Sequence, residues 1–182
     1  MNEDELRLYQ AFSSYATENL FWQLTYLNNA LFDTPLRTPS REKLESMSNT
    51  YAAIISSIYP TKDGQNLISA MQNNNHLFIC FVDHLLAGSS HTESIDHQWK
   101  ENGRQTAQLL CKMNPYWRIA EWTAMIGHEC DLLETIATNM LAGNYNTFTS
   151  IAPVCQRLAL DMCSYMSSGV MKQQHTICNY AN

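Results

Sequence analysis

The chain has 182 residues and a mass near 20.8 kDa, enough for one domain with its own core. Hydrophobic residues make up 45% and charged residues 15%, which excludes a solvated, disordered coil. The formal net charge of −6, from 11 Lys+Arg against 17 Asp+Glu, leaves no basic excess for coating nucleic acid.

The balance of residue types points to helix. Gly occurs 6 times and Pro 5 times, and 3 Val stand against 19 Leu and 9 Met. Strand-rich folds draw on β-branched residues and frequent Gly or Pro turns, so this composition predicts an all-α protein.

In chain order, the first helix is predicted over about Glu3 to Phe32, where Leu6, Tyr9, Phe12, Leu20, Leu24, Leu27 and Leu31 recur at steps of three and four. DTPLRTPS then breaks the pattern at Pro35 and Pro39, and Thr38 or Ser40 is placed to cap a second helix that stops at Tyr59, before Pro60. TKDGQN reads as a turn around Gly64. A third helix runs from about Asn66 to Ala87, ended by Gly88. The fourth spans Glu93 to Met113 and closes at Asn114–Pro115; the fifth spans Trp117 to Leu141 and closes at Ala142–Gly143. The sixth runs from Phe148 to Gln173, with Pro153 in its first turn or kinking it. Helices this long with short links predict an up-and-down bundle of about six helices with a four-helix-bundle-like core. Residues 3–174 form one domain on this reading, and 175–182 form a tail. The third and fifth helices both contain a histidine and end in L-A-G, at Leu86–Gly88 and Leu141–Gly143, a short internal echo.

The opening residues, Met1 to Phe12, are acidic and lack the basic start and apolar run of a signal peptide, and the longest strongly apolar stretch, Leu77 to Val82, falls far short of the ~20 residues of a membrane span. The expectation is a cytoplasmic protein. The 6 cysteines include no C-x-x-C pair, and all but Cys178 lie in apolar helical patterns, as reduced buried thiols do.

Two clusters carry residues capable of chemistry. His76, Cys80, Asp83 and His84 fall close to one face of the third helix, and imidazole, carboxylate and thiolate are all metal ligands. The bland alternative is a solvent-facing Asp83–His84 pair with His76 as a core histidine. The fifth helix offers Glu121, Met125, His128, Glu129, Asp131 and Glu134. If His76 and His128 both point inward, the bundle can hold a transition metal, with Asp83, His84, Glu129 and Cys80 as further ligands or their supports. The Glu-x-x-His pairs of di-iron bundles are absent. No G-x-S-x-G and no phosphate-binding glycine loop occurs, since the glycines are isolated, so an ATP-dependent or classical nucleophilic enzyme is not indicated. Trp22, Trp99, Trp117 and Trp122 read first as core anchors; a second reading makes Trp22, Cys80, Trp122 and Met125 the walls of a ligand pocket.

Four motifs, in order, are similar to those of a family of small all-helical bacterial proteins of unknown function, often stored under a mistaken acetylglutamate kinase label. They are Phe21–Trp22, HLFICFVDHLLAG from His76 to Gly88, NPYW from Asn114 to Trp117, and MCSYMSSGVMKQQ from Met162 to Gln174. The resemblance spans about Glu18 to Gln174. It implies a helical bundle and no established activity; a true amino-acid kinase resembles an α/β fold with glycine-rich loops, which this sequence lacks. Members carry a histidine shortly before the tryptophan of the first helix, where this chain has Asn19 or Glu18, and Glu129 rather than His128 is an alternative match in the fifth helix. A site built on those histidines is implied to be altered here.

Two readings follow for function. The first is a binding or structural module, homodimeric or docking a partner through surface aromatics such as Trp99 or Tyr116. The second is a bundle that binds a metal or small ligand in its core; a bundle enzyme using such a metal for redox or hydrolytic work is a further version of it.

Overall fold

A computed structural model describes the backbone of residues 3–180, with side chains to residue 176. Among these residues there are six helices: α1 (Glu3–Leu31), α2 (Arg37–Ile58), α3 (Lys62–Leu86), α4 (Thr92–Met113), α5 (Ile119–Leu141) and α6 (Asn146–Tyr180). The protein is an all-α bundle. No helix is long and apolar enough to cross a membrane among the described residues.

Each helix packs on its neighbours in sequence, and α6 packs back on α1, so the six form a closed ring. Links of three to five residues make sequential helices antiparallel. The expectation of a four-helix-like core differs in one respect: α1, α3 and α5 also touch one another and form a central triangle. Helices α2, α4 and α6 each lie over one edge of it, bridging two inner helices.

The helix ends follow local chemistry. All three acidic residues Glu3, Asp4 and Glu5 fall in the first turn of α1, opposite in sign to the helix N-terminus. Helix α3 begins four residues earlier than the periodicity indicates, because the Thr61 hydroxyl accepts from the Gly64 N–H and caps it. Gly64 is thus inside the first turn and not in the link. Neither Thr38 nor Ser40 caps α2; Leu36 takes that position, and the buried Ser40 Oγ donates to the Leu36 and Arg37 carbonyls. Pro39 is then in the first turn, where its missing N–H costs nothing. Helix α6 starts at Asn146, which puts Pro153 two turns in, and it continues to Tyr180; of the expected tail, 175–182, residues 181–182 lie outside the described residues.

The three inner helices stop in the same way. Asp33, Gly88 and Gly143 have φ of 46°, 60° and 82°. After each, the next N–H bonds back to a carbonyl five residues earlier: Thr34 to Asn29 at 3.0 Å, Ser89 to His84 at 3.0 Å, and Asn144 to Asn139 at 2.8 Å. This is the Schellman closure. The L-A-G echo is therefore one structural device, and Leu31–Asp33 is its third copy.

The interior is divided along the bundle axis. One apolar cluster gathers Tyr26, Leu27, Phe78, Phe81, Trp99, Leu133 and Ile136; the other gathers Phe12, Tyr51, Leu67, Leu110, Trp117, Trp122 and Val170. Between them lies a polar layer. The Asn75 amide donates to Asn19 Oδ1 at 2.8 Å and to the Leu44 carbonyl at 3.2 Å, and Asn73 donates to Asn102 Oδ1 at 2.9 Å. Trp99 Nε1 donates to Asn74 Oδ1 at 2.8 Å. Buried amides persist when they satisfy one another, and these fix how α1, α3 and α4 align.

Candidate functional site

A pocket of about 90 Å³ opens at the polar layer and is lined by residues of all six helices. Its walls are mostly aromatic and sulfur-bearing. Phe12 and Tyr15 come from α1, Tyr51 from α2, Met71 from α3, Trp122 and Ile126 from α5, and Met162, Cys163 and Met166 from α6. Gly103 of α4 contributes by its smallness: a Cβ there would sit 2.8 Å from Ile126 Cγ2. Asn19, Asn74, Thr106 and Glu129 are the polar members.

Glu129 dominates the chemistry. Trp122, Ile126, Glu129 and Leu133 recur at steps of four, three and four, so Glu129 occupies the inward stripe of α5. It is half-buried, and the surface it retains lines the pocket. No hydrogen bond or ion pair reaches its carboxyl among the described residues. No Lys, Arg or His lines the pocket. The nearby cations are used elsewhere: Lys100 Nζ bonds Glu134 at 2.7 Å and Asp96 at 3.1 Å, and Arg104 bonds Glu101 at 2.7 Å. Burial alone pushes the Glu129 carboxyl up to about 7.

Two donors on the same walls are also unsatisfied. The Tyr15 hydroxyl and Trp122 Nε1 have no partner, although the residues are only 5% and 1% exposed. Burial, then the Glu129 charge, raises the Tyr15 hydroxyl well above its ordinary value, so it stays protonated and able to donate. Burial followed by the Glu129 charge likewise raises Cys155 and Cys163, which keeps both as thiols. Tyr15 and Tyr51 stack with ring centres 4.8 Å apart, and Trp122 meets Trp117 edge-on at 5.9 Å, so the walls are held by other rings. One carboxyl and two donors without partners in one aromatic pocket form a site ready for a molecule that supplies the missing partners.

The other sequence candidates lie elsewhere. His76 and His128 are both exposed, so the inward convergence expected for them is not present. Residue 128 falls one step off the buried stripe that residue 129 occupies. His76 Nε2 lies 3.5 Å from Cys80 Sγ on the surface of α3. Asp83 is held by the Tyr26 hydroxyl at 2.6 Å, Arg37 at 2.8 Å and Arg41 at 3.2 Å. It is a tie between α1, α2 and α3. The His84 ring lies 6.3 Å from that of His91. Among the described residues no three His, Cys, Asp or Glu side chains come together in a manner that could hold a metal.

Of the expected pocket residues, Trp122 lines the pocket. Trp22 packs against both apolar clusters, with Lys43 Nζ 5.9 Å from its ring. Met125 packs beside the second cluster, and Cys80 stays with His76. Trp99 is fully buried against Phe78 and Phe81, as a core anchor and not as the surface aromatic of the module reading. Asn19, singled out in the sequence reading only as the replacement for a histidine, lines the pocket, while Tyr15, Tyr51 and Asn74 escaped that reading. Each looks like an ordinary core position until the helices are assembled around it.

Comparison with models of protein families, with curated proteins and with solved structures gives no match.

Proposed function

We propose that the protein is a helical-bundle module that binds a small organic molecule in the pocket between its second apolar cluster and the polar layer. The observation that carries this reading is the Glu129 carboxyl, set without a partner among aromatic walls beside two unpartnered donors. A fold gains nothing from such a group: a half-buried carboxyl without a partner costs free energy, and an apolar residue there would pack without that cost. The unsatisfied set becomes favourable when a ligand completes it. The reading is of a binding module and not of a classical enzyme, because no second acid, base or nucleophile is hydrogen-bonded to Glu129 among the described residues. It also keeps the chain with the small helical family that its motifs resemble, and in the cytoplasm.

Volume limits the ligand. A dry cavity of ~150 Å³ accommodates benzene, so a pocket of about 90 Å³ suits something smaller. The test is ligand-observed NMR with a panel of neutral and charged molecules no larger than benzene, against the wild type and Ala159→Leu. Ala159 is buried on the pocket wall, and leucine there fills the space. Members of the panel bind the wild type and lose binding to the filled variant. A panel that fails on the wild type, or binds both proteins alike, overturns the reading.

A further inference from the structure

From the donors and acceptors around the pocket we infer that its ligand is a small primary amine carrying an oxygen acceptor, bound as the ammonium against Glu129. This rests on the binding reading above and names the chemical class. No cation is paired with the carboxyl among the described residues: no Lys, Arg or His there lines the pocket, and Lys100 and Arg104 are paired with other carboxylates. A ligand ammonium supplies both the charge and the N–H donors that Glu129 lacks. The walls suit the same group. Phe12, Tyr15, Tyr51 and Trp122 present aromatic rings around the space, and a cation beside such rings is held by their π faces.

The two remaining needs fall on the other side of the balance. Trp122 Nε1 and the Tyr15 hydroxyl are donors in search of an acceptor. Both atoms are sealed within the ring packing of the pocket wall, so a hydroxyl or ether oxygen on the amine accepts from either only when binding opens that packing. A neutral hydrocarbon leaves all three groups unsatisfied, and an anion meets a carboxylate. Beside the ~150 Å³ of a cavity that takes benzene, about 90 Å³ is the space of a short-chain molecule. That is the scale of a two-carbon amino alcohol and excludes large alkaloid-like amines.

The association depends on pH with a definite sign. The titratable groups that meet Glu129 are Tyr15 from α1, Cys130 from its own helix and Cys155 and Cys163 from α6; all four stay neutral through pH 8. Tyr51 of α2, also on the pocket wall, is held neutral in the same range by burial. No titratable residue of α3 or α4 lines the pocket. Glu129 therefore sets the profile. Below about pH 7 the amine must displace its proton, so affinity falls as the pH drops through that value.

The experiment is isothermal titration of the full chain with methylamine and ethanolamine, and with their neutral counterparts methanol and ethylene glycol. The variants are Glu129→Gln and Ala159→Leu. Ethanolamine is expected to bind at least about tenfold more tightly than ethylene glycol at pH 8 and to weaken at pH 6. Glu129→Gln is expected to lose about a hundredfold in affinity for the amines, as when one partner of a buried charge pair is removed. Neutral compounds binding as well as the amines, with Glu129→Gln unaffected, would overturn the amine assignment and leave the pocket standing. Failure of both amines on the wild type overturns the assignment too. If neutral compounds also fail, or all binding survives Ala159→Leu, the binding reading falls with it.

Discussion

A glutamate enclosed by aromatic rings holds its proton more tightly than one in water, and folding then depends on pH through that single group. The carboxyl of Glu129 goes from the ordinary value of 4.5 up to about 7 because burial disfavours its charge. The folded state thus binds the extra proton between these values, and stability declines as the pH rises from about 5 through 7. Deprotonation above pH 7 costs about 3 kcal/mol of stability, at ~1.4 kcal/mol for each pH interval between the two values. Glu129→Gln removes the titration. We expect this variant to be more stable than the wild type by about 2–3 kcal/mol at pH 8 and nearly equal at pH 5, measured by urea unfolding at both pH values. A stabilising substitution in a pocket is what a binding residue shows when it is kept for function at the expense of the fold. Glu129 was legible in the sequence only in part. Its distance of seven residues from Trp122, three from Ile126 and four from Leu133 marks the buried stripe of α5. Its neighbour His128 draws attention by chemical type and yet faces solvent. Position on the stripe decided burial, and residue type did not.

At the scale of elements, the turns and ties show how local rules build the bundle. Asp33 adopts a left-handed conformation, φ 46°, at a position where the two equivalent inner helices use Gly88 and Gly143. Its ion pair with Arg37 is 3.7 Å long and exposed, so it contributes little. Asp33→Gly is expected to raise stability by ~0.5–1 kcal/mol, read as a rise in Tm of a few degrees. The Asp83 tie works in the opposite direction. It accepts from Tyr26 and from both Arg37 and Arg41, joining α1, α2 and α3 at one end of the ring. Asp83→Ala should cost about 1–2 kcal/mol in chemical denaturation, because it strands the Tyr26 hydroxyl, while Arg37 and Arg41 keep Asp33 and Glu45. The helix pattern itself was readable: every element was visible from its periodicity, with ends displaced by a few residues where a cap such as Thr61 or a first-turn proline such as Pro39 competed with it. Asp83 and His84 share a helix face in sequence, but whether they meet a metal, solvent or an arginine depends on what α2 carries opposite them. The sequence of α3 contains no record of that.

Across the whole molecule, closing six antiparallel helices into a ring around α1, α3 and α5 leaves an interior too wide to be filled by one apolar layer. The chain packs each end with aromatic and aliphatic residues and places amides and one carboxyl between them. The pocket sits between those amides and the second apolar cluster, and it draws on all six helices. For that reason Tyr15, Tyr51 and Asn74 were not recognisable as site residues from sequence: their grouping exists only after closure. The same closure puts His76 and His128 on the outside. We therefore expect protein purified without chelator to carry no stoichiometric transition metal, with an unchanged Tm in EDTA. His76→Ala and His128→Ala should each shift stability by less than about 0.5 kcal/mol.

The most direct test of the account is to follow the side-chain carboxyl of Glu129 by carbon NMR across the pH range, assigned by its absence in Glu129→Gln, in the free protein and with saturating ethanolamine. The account predicts a midpoint near 7 in the free protein, moving to lower pH when the amine is bound. A midpoint in the ordinary glutamate range, unmoved by the amine, would contradict it.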